Sequence, residues 1–136
     1  MRVSIILLGT FLYSSMVFSQ DQEPNEVLLE SMESGAMIYE DFCVNCHMAD
    51  GKGVENLNPP LASSDFLMNN RGLSIKTIKF GQKGEIVVNG KKYNNTMTPL
   101  GLADDEIADV MNFISNAWGN LNNKIITVEE VSKIQQ

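Results

Sequence analysis

Residues 43–47 read Cys43-Val44-Asn45-Cys46-His47, and they hold both cysteines and the one histidine of a 136-residue chain. The residues ahead of them, Met32 to Phe42 (MESGAMIYEDF), place Met32, Ala36, Tyr39 and Cys43 on one face at helical spacing. Carried through the motif, that helix sets Cys43 and Cys46 at i and i+3, so both sulfurs leave from one side, and His47 at i+4 adds an imidazole there. One turn of backbone thus presents two soft thiols and a ring nitrogen together.

Cys-x-x-Cys-His is the attachment pattern of c-type haem, in which the sulfurs bond the two vinyl edges of one porphyrin and the imidazole lies beneath the iron. Other chemistries fit less well. A thioredoxin-like redox pair follows a strand in a βαβ unit, whereas this motif follows a helical pattern. A structural zinc site closes with four Cys or His ligands, and the sequence has no second Cys-x-x-Cys or distant histidine to complete one. A disulfide between Cys43 and Cys46 suits an exported chain but leaves His47 without a role.

The composition, 43% apolar and 20% charged, is that of one globular domain. Residues 1–19 stand apart from it. Met1 and Arg2 give a weakly positive start, Val3 to Val17 run almost wholly apolar, and Val17-Phe18-Ser19 suits a signal peptidase, so a signal peptide cut after Ser19 is expected. Left uncleaved, the stretch is close to the lower limit for a membrane anchor, the one route by which this chain would meet a membrane. Residues 20–30 open polar and acidic (QDQEPNE) and are expected to be flexible. The domain is expected over 31–120, and 121–136 reads as a C-terminal extension with a short helix.

Ten Lys and Arg against seventeen Asp and Glu give −7, and losing Arg2 with the signal leaves nine against seventeen, or −8. Nucleic acid is a poor partner for such a chain. The charge is uneven, because Arg71, Lys76, Lys79, Lys83, Lys91 and Lys92 face only Glu85 between two acidic stretches. This basic belt is a candidate docking surface for an acidic partner, or simply a solvated face.

A first helix is expected from an N-cap at Ser31 to His47, followed by a glycine-rich loop and Pro59-Pro60. Short helices are expected over Asp65–Met68 and Ser74–Phe80, the latter with Ile75 and Ile78 inward and Lys76 and Lys79 in solvent. Asn89-Gly90 predicts a type I′ hairpin between Glu85–Val88 and Lys91–Tyr93. The last main helix begins at the acidic Asp104, Asp105 and Glu106, carries Ile107, Val110, Ile114 and Trp118 at helical spacing, and stops at Gly119. Thr127 to Ile134 reads as a short helix capped by Thr127.

From Gly35 to Asn120 the chain resembles the class I cytochromes c, the His/Met family. The resemblance rests on Gly35 and Tyr39 before the motif, Met48-Ala49-Asp50-Gly51-Lys52-Gly53 after it, Pro59-Pro60-Leu61-Ala62, Met97 before Pro99, and Leu102 to Trp118. Residues 86–94 resemble a hairpin insertion of bacterial members that serve periplasmic dehydrogenases or reductases. The resemblance implies an all-α fold with crossing N- and C-terminal helices around one haem, plus that small β-hairpin. At the crossing Gly35 would admit Phe113 against its backbone.

The same resemblance implies a methionine as sixth iron ligand. Of eight methionines, Met1 and Met16 leave with the signal, Met32 and Met37 precede the motif, Met48 adjoins His47, and Met111 reads as core. Met97 lies in an irregular loop with Pro99 and is the chosen ligand, with Met68 as the alternative. The family also implies that a proline carbonyl orients His47, here Pro59 or else Pro60, and that Leu61 packs on the ring. The function implied is a periplasmic single-electron carrier, not an enzyme, with one covalent haem c and exported redox proteins as donor and acceptor. The alternatives are a cytochrome subunit of a dehydrogenase, reductase or oxidase complex, and a haem sensor if Met97 is labile.

Overall fold

The computed structural model describes residues 24–136, so the expected signal peptide at 1–19 and residues 20–23 of the flexible segment lie outside it. In chain order the described elements are α1 (Pro24–Phe42), α2 (Val44–His47), α3 (Asp65–Asn69), α4 (Arg71–Phe80), β1 (Ile86–Val88), β2 (Lys91–Tyr93), α5 (Asp104–Ile114) and α6 (Val128–Ser132). Among them no helix is long and apolar enough to cross a membrane.

The first helix starts at Pro24, which corrects both the N-cap at Ser31 and the flexible segment over 24–30. Proline suits a first helical position because its φ is preset and its missing N–H is unpaired there anyway, and Glu26 in the first turn favours the positive helix end. Ser31 instead lies inside α1. Its hydroxyl donates to Asp109 Oδ1 at 2.5 Å and accepts from Asn112 Nδ2 at 2.9 Å, pinning α1 to α5.

The two helices pack as the family resemblance implies, with Gly35 at the contact. A Cβ there would lie 2.1 Å from the Asp109 carbonyl oxygen and 2.9 Å from Phe113 Cβ, so only hydrogen fits. Tyr39, Ile107, Val110, Met111 and Ile114 fill the adjoining core. Glu106 accepts from the Ala103 N–H at 2.7 Å and closes the start of α5.

The end of α5 differs from expectation. Helix stops at Ile114, and Trp118 takes a left-handed φ of 53° before Gly119 at 87°. Leaving the helix lets the indole fold back, where it packs tilted against Tyr39 at 5.0 Å and edge-on to Phe113 at 5.4 Å and donates its N–H to the Ala49 carbonyl at 3.0 Å. Gly51 makes room, since a Cβ there would stand 2.5 Å from the ring. The loop after the motif is thereby held against the helix crossing.

The hairpin forms as read, with Ile86 opposite Tyr93 and both turn residues at positive φ, Asn89 at 51° and Gly90 at 76°. Asp65 and Asn89 exchange backbone-to-side-chain hydrogen bonds at 2.9 and 2.7 Å, which anchor that turn to α3. The C-terminal extension packs onto the body. Thr127 caps α6 by accepting from Glu130 N, while Ile126 and Val131 are buried. Asn112 bonds the Ile126 backbone in both directions, at 2.9 Å to its carbonyl and 2.8 Å from its N–H.

Candidate cofactor site

The motif, the Pro59 loop, α4, the hairpin and the Met97 loop surround one cleft, floored by Val110 and Ile114 of α5. Its space, open mouth included, is about 980 Å³. The lining is mostly apolar, and among the described residues no charged side chain contributes to it.

The polypeptide enters this site through the end of α1. Cys43 N–H still donates to the Tyr39 carbonyl at 2.9 Å and His47 N–H to the Cys43 carbonyl at 2.9 Å, so the motif stays helical across the break at Cys43. Cys43 and Cys46 are not joined to each other, and both line the cleft. Burial, and secondarily the neighbouring Cys46, push the Cys43 thiol up to about 11. A thiol that resists ionisation is unlike the low-pKa nucleophile of an exchanging redox pair.

His47 Nδ1–H donates to the Pro59 carbonyl at 3.0 Å. That bond fixes the tautomer and leaves Nε2 as the ring's lone-pair donor. Burial lowers the imidazole pKa, and the Pro59 bond partly opposes this. Leu61 lies on the cleft wall beside Pro59 and Pro60. Its N–H donates to Gly51 O at 2.7 Å and its carbonyl accepts from Asn120 Nδ2 at 2.9 Å, which ties the loop to the end of α5.

Met97 lines the same cleft. Its backbone exchanges two hydrogen bonds with Gln82, N to O at 2.9 Å and O to N at 2.8 Å. Gly81, at φ 82°, permits this approach, because a Cβ would stand 2.6 Å from the Met97 carbonyl oxygen. Met68 is elsewhere, beside Met111 and Arg71 at a smaller cavity on the other side of α3 and α4. Met111 is buried core, as read.

The basic belt is partly paired, and the expectation of Lys79 in solvent is corrected. Arg71 forks onto Glu130 and also donates to the Lys124 and Ile125 carbonyls. Lys79, expected in solvent, pairs with Asp104 at 2.8 Å and donates to the Val131 carbonyl at 3.0 Å, its side chain only 18% exposed. Lys91 pairs with Glu55 and Lys92 with Glu85. Glu130, Asp104 and Glu55 lie outside the belt in sequence and fold against Arg71, Lys79 and Lys91, which local charge counting cannot show. Sequence reading also missed Ser74, Thr77, Gln82 and Asn120. Ser74, Thr77 and Ile78 share one helical stripe, so two hydroxyls on an inward face were the available signal.

Two thiols, an imidazole nitrogen and a thioether around one apolar cleft fit a haem. They do not fit zinc, since among the described residues no group of three or more His, Cys, Asp and Glu could hold a metal ion. The cytochrome c family model matches residues 32–118, and the chain belongs to that family. Its members are haem-bearing electron-transfer proteins and not enzymes. The chain is 38% identical over 110 residues to cytochrome c-552 of Thermus thermophilus, covering 74% of this chain and 83% of that protein. It is also 31% identical to the gluconate 2-dehydrogenase cytochrome c subunit of Pantoea cypripedii and 30% identical to the cytochrome c subunit of the quinone alcohol dehydrogenase of Gluconobacter oxydans. These alignments cover 95% and 75% of this chain but 30% and 22% of those proteins.

Proposed function

We propose that this chain is a periplasmic single-electron carrier with one haem c, bonded through Cys43 and Cys46 and ligated by His47 and Met97. The observation that carries the reading is the shared cleft: all four donors line it, and the His47 ring is oriented by Pro59. When bound, the haem supplies the one-electron iron couple. The chain's part is binding and tuning. His47 and Met97 would hold the iron with protein side chains and leave it no position for a substrate, and the Met97 thioether would favour the ferrous state. Leu61, Ile78, Val88 and Ile114 line the cleft and would keep water from the ring. Export rests on residues 1–19, and amino-terminal sequencing of the periplasmic protein should begin at Gln20.

Similarity along most of cytochrome c-552 supports a free carrier serving exported oxidoreductases. The likeness to dehydrogenase cytochrome subunits supports a second reading, a subunit held in such a complex, which co-purification from its source would reveal. A sensor with a labile Met97 would bind carbon monoxide readily in the unsubstituted protein. The ligand test is direct. Protein made with a c-type maturation system should keep its haem through acid-acetone extraction and show the far-red charge-transfer band of sulfur on ferric iron. Met97→Ala should abolish the band and admit carbon monoxide, while Met68→Ala should leave it. Haem in the solvent phase would overturn the covalent attachment, and exchanged behaviour of the two variants would overturn the ligand assignment.

A further inference from the structure

His47 is oriented by the loop that carries Pro59, and Met97 lies in the loop that follows the hairpin. Among the described residues, two side-chain bonds join residues 54–60 to residues 91–97. Asn95 Nδ2 donates to Asn58 Oδ1 at 3.1 Å, and Lys91 pairs with Glu55 at 2.8 Å. Asn58 and Asn95 both line the cleft, Asn58 next to Pro59 and Asn95 two residues before Met97. The Asn58 backbone is itself fixed, since it exchanges hydrogen bonds with Val54 at 3.0 and 2.9 Å. Asn95 is held at its other amide atom, where Oδ1 accepts from the Thr96 N–H at 2.9 Å. Two anchored amides therefore meet at the cleft, and contacts run from His47 through Pro59 and Asn58 to Asn95 and Met97.

The Gln82 bridge ties Met97 to the end of α4, not to the loop that orients His47. We propose that Asn58 and Asn95 are positioning residues that latch the Met97 loop to the Pro59 loop and slow departure of the Met97 thioether from the iron. The assignment rests on the proposed ligation by His47 and Met97. The neighbouring ion pair adds little, because the Lys91 and Glu55 side chains are 59% and 72% exposed and water and salt screen them. The amide bond carries no net charge and is insensitive to salt. A loop that swings away from the cleft breaks this bond before the sulfur can leave, so its loss speeds departure. Net of water, one neutral hydrogen bond changes such a balance about two- to tenfold.

The test mixes ferric holoprotein with imidazole, which takes the iron position once Met97 has left it. At saturating imidazole the observed rate is the departure rate of the thioether. Asn58→Ala and Asn95→Ala should each raise that limiting rate about two- to tenfold while the far-red band stays in place. Asn58→Asp keeps an acceptor facing Asn95 and should restore the slow rate. The double alanine variant should be no faster than the quicker single variant, because both substitutions remove one shared bond. Salt raised to about 1 M should leave the limiting rate of the unsubstituted protein nearly unchanged. An unchanged limiting rate in both alanine variants would overturn the proposal, even where the thermal transition falls, since the pair would then be merely structural. So would single effects that add in the double variant. A rate that climbs with salt would move the latch to Glu55 and Lys91 and overturn the assignment to the amides. Failure of the ligation itself is distinguishable, because the unsubstituted protein would then lack the far-red band, and the latch would fall with it.

Discussion

The α1–α5 crossing and the cleft wall formed by α4 are built from the same chain but meet their polar requirements differently. At the crossing Ser31, Asp109, Asn112 and the Ile126 backbone satisfy one another, and Tyr39, Phe113 and Trp118 stack around them. On the cleft wall Ser74 and Thr77 have no partner, and apolar side chains face open space. One region is complete in the polypeptide alone, and the other is completed by what it binds. Stability of the second is therefore linked directly to the cofactor, and that of the first through Val110 and Ile114, which belong to both.

Gly35→Val should abolish the distinction, because a side chain 2.1 Å from the Asp109 carbonyl forces the helices apart. We expect a loss of more than about 3 kcal/mol, read as collapse of the holoprotein's thermal transition. Asn112→Ala should break the crossing more locally. It removes bonds to Ser31 and to both backbone groups of Ile126 at a fully buried site, costing roughly 2–3 kcal/mol in denaturant melts while the far-red band persists.

Gly81→Ala attacks the other side. At φ 82° and 2.6 Å from the Met97 carbonyl, the added methyl should weaken the far-red band and speed carbon monoxide binding, with about 1–2 kcal/mol of global stability lost. The smallest effect concerns the pair of Arg71 on α4 with Glu130 on α6. Arg71 holds the Glu130 carboxyl below the usual glutamate range, so the pair stabilises above that range and its contribution is lost as pH falls through the lowered value. Glu130→Gln should cost about 1 kcal/mol near neutrality and nothing in strong acid, measured by melts across pH.

Much of this was legible in sequence where the signal is local. The motif fixed its own helix and the position of His47, Asn89-Gly90 fixed the hairpin, and Thr127 capped the last helix. Resemblance to a family supplied what no spacing gives, including the Pro59 carbonyl on His47 and the place of Gly35. Readings failed where distant chain decides. Trp118 leaves α5 because the Ala49 carbonyl and the Tyr39 ring attract it, and Lys79 is drawn inward by Asp104 and Val131. Ser31 looked like a cap because its true partners are 78 and 81 positions away.

The bridge between Gln82 and Met97 fixes both backbone atoms of the residue that brings the thioether to the cleft. A ligand on a loose loop shifts when the charge at a metal changes, and every such shift adds to the barrier that an electron must wait for before it tunnels. Here only the side-chain torsions of Met97 are left to respond, so on the proposed ligation the sulfur keeps nearly one place in both oxidation states. Preorganisation of this kind keeps the reorganisation energy small, and a carrier that must be loaded and unloaded in brief encounters depends on that.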